Sequence, residues 1–194
     1  MIGRSFKWVA PHGGPYLLLP REALSGWNPM ARHPGVLAGD DRPSRKQTNY
    51  WQVCEMALQN EVGAVEVGEC SGVVFGGVDI PMATFLPHDD GSHGHVDSVG
   101  DIVVALEWDG DATDEGIRQG LRELSQGDFR TENVTILAGE QGLVLFAAHD
   151  APPDWTCDHV DCFLRPGRYQ IATAQCEAGD YVVFRVHPLL PISG

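Results

Sequence analysis

The chain has 194 residues, 43% of them hydrophobic, with a formal net charge of −14 and a pI of about 4.7. This composition excludes a wholly disordered chain, and no apolar run reaches the roughly 18 residues of a membrane span. The length fits one domain over residues 1–194, and so acidic a surface repels nucleic acid.

The first 27 residues predict two strands separated by a turn and followed by a short helix. Two apolar runs flank Gly13-Gly14-Pro15, a triplet typical of a turn. Residues 16–19 are apolar and too few for a helix, which favours a buried strand that Pro20 ends. Residues 21–27 then fit one or two helical turns with Leu24 and Trp27 on one side. The start of the chain lacks the apolar stretch of a signal peptide, so we expect a cytoplasmic protein.

The next segments alternate between loop, helix and strand. Residues 28–47 are rich in Pro and Gly and predict a loop that holds a small basic cluster, Arg42, Arg45 and Lys46. Thr48 or Asn49 can cap a helix over residues 50–59. One face of that helix carries Tyr50, Val53, Cys54, Ala57 and Leu58. Residues 62–67, 73–75 and 82–86 then predict short strands.

The second half of the chain begins with a strand that is apolar on both faces. Residues 101–108 alternate two apolar sets, which is typical of a strand central in its sheet. Thr113 can cap a helix that runs to about Ser125 and buries Ile117, Leu121 and Leu124. Residues 132–138 and 142–148 predict a hairpin, residues 149–162 a loop, and residues 168–176 and 181–187 the last strands. Together the elements predict an α+β fold, mainly antiparallel sheet from successive hairpins with two or three helices.

One stretch could carry metal chemistry. Residues 88–97 contain three His and three Asp, residue types that bind divalent metals, with His93 and His95 on one side of an extended segment. The same stretch is rich in Gly and Ser, which favours a polar surface loop whose ligands are not held in place. A metal-binding protein or metal-dependent enzyme using His88, His93 and His95 is therefore the alternative function, and metal analysis before and after deletion of residues 88–97 would test it.

The cysteines and the catalytic motifs give little support to enzyme activity. Five widely spaced cysteines and no export signal predict reduced thiols. Cys157 and Cys162 enclose His159, but a zinc site there would need a fourth ligand from elsewhere. The chain has no serine-nucleophile elbow, phosphate-binding loop, zinc-protease helix or dinucleotide fingerprint. We therefore expect no catalytic residues, no cofactor and no enzyme activity, although a small-molecule binding domain with a large apolar pocket stays an alternative.

The ordered segments resemble the immunity protein 21 family of bacterial polymorphic toxin systems across nearly the whole chain. The matching positions are Trp8, Gly13, Gly14, Pro15, Leu17, Leu18, Leu19, Pro20, Leu24, Trp27, Gly63, Val65, Val67, Val74, Gly76, Pro81, Thr84, Leu143, Leu145, Phe146, Pro166, Gly167, Arg168, Tyr169 and Thr173. Tyr50 and Cys54 keep the family's spacing, but Asn49 replaces an acidic residue. The resemblance implies a cytoplasmic protein that binds a cognate toxin and neutralises it.

The charge pattern suggests how such a toxin would be bound. Residues 47–194 carry twenty-four acids against six Lys or Arg, and residues 88–115, here called the acidic segment, carry nine acids and no Lys or Arg. An acidic surface attracts a basic partner, although acidity also simply keeps a protein soluble. Trp51 and Trp155 could add aromatic anchors. The expected toxin-binding residues are Asp89, Asp90, Asp97, Trp108, Asp109, Asp111, Asp114 and Glu115.

Overall fold

The fold is seen in a computed structural model. It describes residues 6–9, 14–31, 48–59, 62–76, 82–87, 101–108, 113–150, 158–178 and 182–192. In this part of the chain the strands are β1 (Tyr16–Pro20), β2 (Val62–Val67), β3 (Cys70–Phe75), β4 (Met82–Leu86), β5 (Asp101–Trp108), β6 (Arg130–Ala138), β7 (Leu143–Ala147), β8 (His159–Cys162), β9 (Gly167–Ala178) and β10 (Val182–Pro191). The helices are α1 (Asn49–Gln59), α2 (Asp114–Glu123) and 3-10 segments at Arg21–Gly26 and Gln126–Asp128.

The strands form two five-stranded sheets in which all of the described pairings are antiparallel. The first sheet has the order β2-β3-β1-β7-β8 and the second the order β4-β5-β10-β9-β6. The coarse prediction of a mainly antiparallel α+β fold is therefore confirmed. Within the described residues, no helix combines the length and the apolar character needed to cross a membrane.

The apolar side chains make three buried clusters, and these define four layers. One cluster fills the space between the two sheets and includes Tyr16, Phe75 and Ile171. A second lies between α1 and the outer face of the first sheet, where Trp27 and Val53 are buried. The third lies between α2 and the outer face of the second sheet. The order of layers is therefore α1, first sheet, second sheet, α2, with helices on both outer faces.

Strand β5 is covered on both faces and paired on both edges, which explains its continuous apolar sequence. Ile102, Val104 and Leu106 belong to the cluster under α2, whereas Val103 and Ala105 face the core between the sheets. All five are fully buried, and β5 pairs with β4 on one side and β10 on the other. A strand covered on both faces must be apolar on both faces, as the sequence indicates.

Both α-helices begin where their capping residues predicted. The Trp51 amide donates to Thr48 Oγ1 at 3.3 Å, and the Gly116 amide donates to Thr113 Oγ1 at 3.1 Å. Ile117 and Leu121 are buried as expected, but Leu58 of α1 is 72% exposed, so its predicted place on the buried face is wrong. Leu58 lies in the last turn of α1, and Val53 and Ala57 are the buried residues of this helix.

The predicted hairpin between β6 and β7 is wrong, because the two strands belong to different sheets. Strand β6 is an edge strand in which buried and exposed residues alternate, whereas every residue of β7 is buried. A strand that is apolar on both faces is most stable where both faces are covered, which is the case beside β1, inside the first sheet and under its helix layer. The turn at Gly142, with φ of +75°, carries the chain from one sheet to the other.

Several further boundaries differ from the sequence prediction: β3 begins at Cys70 instead of Val73 and β9 continues to Ala178, and the larger differences are at β8 and β10. Residues 159–162 were expected in a loop but form β8, which pairs with β7 and buries Val160 and Cys162. Strand β10 was expected to end at His187 but continues through Pro188 to Pro191. Proline lacks an amide hydrogen, so Pro188 cannot complete the ladder, and the β10–β9 pairing skips from Val186 to Leu189.

Candidate functional site

The acidic segment is only partly within the described residues. Five of the eight expected toxin-binding residues lie outside them, namely Asp89, Asp90, Asp97, Asp109 and Asp111. Trp108 ends β5 opposite Val183, where the register between β5 and β10 shifts; its side chain is outside the described part of the chain. Within this segment the structure therefore describes residues 101–108, which form β5, and residues 113–115, where α2 begins.

Asp114 lies at the start of α2 and holds a piece of the N-terminal chain. The Phe6 amide donates to Asp114 Oδ2 at 3.0 Å, across 108 residues of sequence. The same N-terminal piece runs along β4, where Thr84 Oγ1 donates to the Lys7 carbonyl at 2.7 Å and Val9 bridges to Ala83. A carboxylate in the first turn also interacts favourably with the helix dipole. Asp114, which is half-buried, thus has a clear structural role.

Glu115, the other described acid of the set, points into solvent. Its side chain is 73% exposed and its Oε1 lies 3.1 Å from Arg122 Nη1 on the same helix. One turn earlier, the Arg118 guanidinium lies 4.3 Å from the centre of the Phe6 ring, a cation–π geometry. Arg118 is 9% exposed, so its charge is directed inward. Glu115 is therefore the described acid of the segment best placed to meet a partner.

The described surface as a whole is acidic. Ten acidic side chains are exposed in the described residues, against five basic ones. At least five of the eight described basic side chains are engaged within the chain: Arg21, Arg122 and Arg130 form ion pairs with Asp161, Glu115 and Glu132, Arg118 covers Phe6, and Arg185 donates to the Gly76 carbonyl. The excess of negative charge therefore lies on the surface rather than in internal pairs.

A second feature is a cleft where the edge of the second sheet meets one end of the first, here called the seam cleft. It has a volume of about 290 Å³. Its lining residues come from β1, the following 3-10 helix, the β2–β3 hairpin, β6 and β9; they are Pro20, Glu22, Glu69, Cys70, Ser71, Thr135, Leu137 and Arg168. The cleft is polar and charged, unlike the large apolar pocket that a small-molecule binding domain predicts.

The interior between the sheets contains a buried histidine. His187 is fully buried on β10; its ring centre lies 4.7 Å from that of Phe75 on the opposite sheet, and its Nδ1 lies 3.0 Å from Thr173 Oγ1. Burial, with a smaller contribution from Arg185, lowers the pKa of His187 to about 3. Its Nε2 is buried without a hydrogen-bond partner among the described residues. This histidine is therefore neutral and belongs to the core.

The described cysteines and histidines do not assemble a metal or nucleophile site. Burial raises the pKa of Cys162 well above its usual range and that of Cys176 to about 12, so both are protonated thiols. On β8, Cys162 points into the core while His159 lies three residues earlier on the opposite face, so the two cannot share an ion. Among the described residues, no group of three or more His, Cys, Asp or Glu is placed to hold a metal; residues 88–97 and Cys157 lie outside them.

In comparisons with known proteins, no family model, no curated protein and no solved structure matches this chain.

Sequence reasoning missed the seam cleft, the buried histidine and the inward-facing arginine. The cleft could not be read from any local pattern, because its lining comes from five separate elements. His187 gave a usable signal, since it lies two residues from Leu189 on the face of β10 that alternation directs between the sheets. Arg118 follows Ile117 and precedes Leu121, so its place beside the buried stripe of α2 was also readable.

Proposed function

We propose that this chain is an immunity protein that binds a basic cognate toxin in the cytoplasm through an acidic surface and so blocks it. The ordered resemblance to the immunity protein 21 family supplies the role. The observation that supports the binding mode is the twofold excess of exposed acids over exposed basic residues among the described residues. Such a surface accelerates association with a basic partner and disfavours nucleic acid.

The interface in this proposal is the acidic segment, residues 88–115, of which the structure describes β5 and the start of α2. Glu115 would contact the toxin directly, whereas Asp114 would act mainly by fixing the N-terminal piece against α2. Trp108, at the end of β5, and Trp51 of α1 are candidate aromatic anchors. No cofactor and no catalytic step are part of the proposal, because inhibition requires only that the toxin's active surface be covered.

The test is co-expression of the adjacent gene's product with and without this chain, followed by binding of the purified pair. We expect the chain to rescue growth, and binding to weaken strongly from about 50 mM to about 500 mM NaCl. A variant with Asp89, Asp90, Asp97, Asp109 and Asp111 changed to Lys should bind at least tenfold more weakly, which is about 1.4 kcal/mol. The matched control changes Glu123 and Glu177, exposed acids outside the segment, to Lys.

The outcomes separate the role from the binding mode. Binding that persists at high salt, together with growth rescue by the five-site variant, would keep the role and reject the acidic segment as the interface. Failure to rescue growth or to bind would reject the immunity role. If the purified chain then carries a stoichiometric metal that is lost on deletion of residues 88–97, the metal-binding alternative replaces it.

A further inference from the structure

The seam cleft brings together charges of both signs that do not neutralise one another. Glu22 and Glu69 approach it from the 3-10 helix and from the β2–β3 turn, and Arg168 approaches it from β9. None of the three forms an ion pair within 4.0 Å of an oppositely charged side chain in the described part of the chain. Ion pairing is instead found outside the cleft, for example between Arg122 and Glu115.

Several lining residues of the cleft make backbone or side-chain contacts with neighbouring elements. Leu137 of β6 lies directly opposite Arg168 of β9 in the ladder, and the Ile192 amide donates to the Arg168 carbonyl at 2.9 Å. Ser71 Oγ donates to the Glu66 carboxylate, with oxygen distances of 2.8 and 3.0 Å. The Glu22 carboxylate lies close to the β6–β7 turn: a Cβ placed on Gly139 would overlap it. Arg168 is therefore presented on a paired strand, Glu69 in the turn of a hairpin and Glu22 on a 3-10 helix.

We propose that the seam cleft is a binding site for a small dipolar ligand that carries a guanidinium or amine at one end and a carboxylate at the other. The cation would be held by Glu22 and Glu69, and the carboxylate would accept the paired N–H groups of Arg168. The volume of about 290 Å³ is at the lower end of small-molecule sites, roughly 300–1,000 Å³, and fits a ligand of the size of one amino-acid derivative. This site is independent of the proposed toxin interface.

Cys70 provides a reporter inside the cleft. It is a free, partly exposed thiol, and Cys54 of α1 is a partly exposed cysteine that does not line the cleft. Alkylation by iodoacetamide, which is uncharged, can be followed at both thiols by peptide mass spectrometry. Three probes separate the two charges: N-acetylarginine carries both, its amide only the cation, and N-acetylcitrulline only the carboxylate.

We expect N-acetylarginine to slow alkylation of Cys70 and leave Cys54 unchanged. For a Kd of about 1 mM, about 10 mM probe slows Cys70 roughly tenfold, and the two single-charge probes slow it less than twofold. Arg168→Gln should reduce the protection by N-acetylarginine to that of the amide, and a Glu22→Gln/Glu69→Gln pair should abolish it. Glu177→Gln, an exposed acid elsewhere on β9, is the matched control and should keep full protection.

Three results would overturn the proposal: no protection of Cys70, equal protection by all three probes, or equal protection of Cys54. Folding of the variants is checked within the same experiment, because Cys162 is fully buried and must remain unmodified in a native chain. A variant in which Cys162 reacts is replaced by the single substitution Glu69→Gln, which lies in a hairpin turn and should halve or further reduce the protection.

Discussion

Thr173 Oγ1 and His187 Nδ1 lie 3.0 Å apart in the interior between the two sheets, on neighbouring strands β9 and β10. The pair lies where the β9–β10 ladder is interrupted beside Pro188. A side-chain hydrogen bond thus joins the strands where proline has removed a backbone donor. Because this histidine is titratable and fully buried, the stability of the core depends on pH.

We expect the free energy of unfolding to fall as the pH drops below about 6.5. His187 has a pKa of about 3 in the folded chain and the ordinary value of 6.5 when unfolded, so between these values only the unfolded chain binds the proton. The stabilisation is complete above pH 6.5 and is lost progressively toward pH 3, amounting to about 2 kcal/mol between pH 7 and pH 5. Urea unfolding of the wild type and His187→Gln at both pH values measures this difference. An equal loss in both proteins would contradict the assignment.

The Asp114 contact predicts that neighbouring acids of α2 differ in importance for stability. Asp114→Ala removes the acceptor of the Phe6 amide and a favourable first-turn charge, and should destabilise the fold by about 1–2 kcal/mol. Glu115→Ala also removes a first-turn charge, but its ion pair with Arg122 is exposed, so stability should change by at most about 1 kcal/mol. Thermal and urea unfolding compare the two. Similar values for both variants would show that the N-terminal piece does not depend on Asp114.

Trp27 should be far more sensitive to substitution than Trp51. The Trp27 indole is 3% exposed, and its Nε1 lies within hydrogen-bond distance of the Ala148 carbonyl at 3.2 Å and the Asp150 carbonyl at 3.1 Å. Trp27→Phe leaves a void and removes the donor, so we expect a loss of about 2–3 kcal/mol. Trp51→Phe removes an exposed hydrogen bond to Glu55 and should have little effect on unfolding. A small loss at Trp27 would argue that this residue serves a partner rather than the core.

Gly76 sets the distance between α1 and the end of β3. A Cβ at this position would lie 2.5 Å from Ala57 Cα and 2.6 Å from the Ala57 carbonyl oxygen, both backbone atoms. Gly76→Ala must therefore displace the helix, and we expect a loss of about 1–3 kcal/mol, as for overpacked cores. Gly127→Ala is the control, since its nearest atom is 3.8 Å away. Equal unfolding midpoints for the two variants would mean that α1 can be displaced at no cost in the free energy of unfolding.

Local sequence patterns predicted the individual strands and helices of this fold better than they predicted which strands pair. The two-faced apolar pattern of β5 and the caps of α1 and α2 are properties of one segment, and the structure bears them out. The predicted β6–β7 hairpin failed because a short glycine-containing turn serves equally well to join two strands of one sheet or to pass between sheets. Pro188 led to a β10 that was too short, since proline normally excludes a central strand position.

The candidate site was harder to predict from the sequence than the fold. The charge of the acidic segment could be counted, but the hydrogen bond between the Phe6 amide and Asp114 spans 108 residues and has no local signature. The seam cleft likewise combines residues from Pro20 to Arg168. Whether an acid faces solvent, holds another segment or lines a cleft depends on tertiary contacts, which composition and periodicity do not contain.

The position of β1 and β10 has a consequence for the order of events during synthesis. Among the strands of the described residues, the first, β1, is the middle strand of one sheet, and the last, β10, is the middle strand of the other. During translation β1 emerges early but must wait for β7, and the second sheet has no centre until β10 has left the ribosome. High contact order of this kind slows folding, typically to milliseconds or longer. Until residues 182–191 have been synthesised, the nascent chain therefore exposes unpaired strands, which are prone to aggregation.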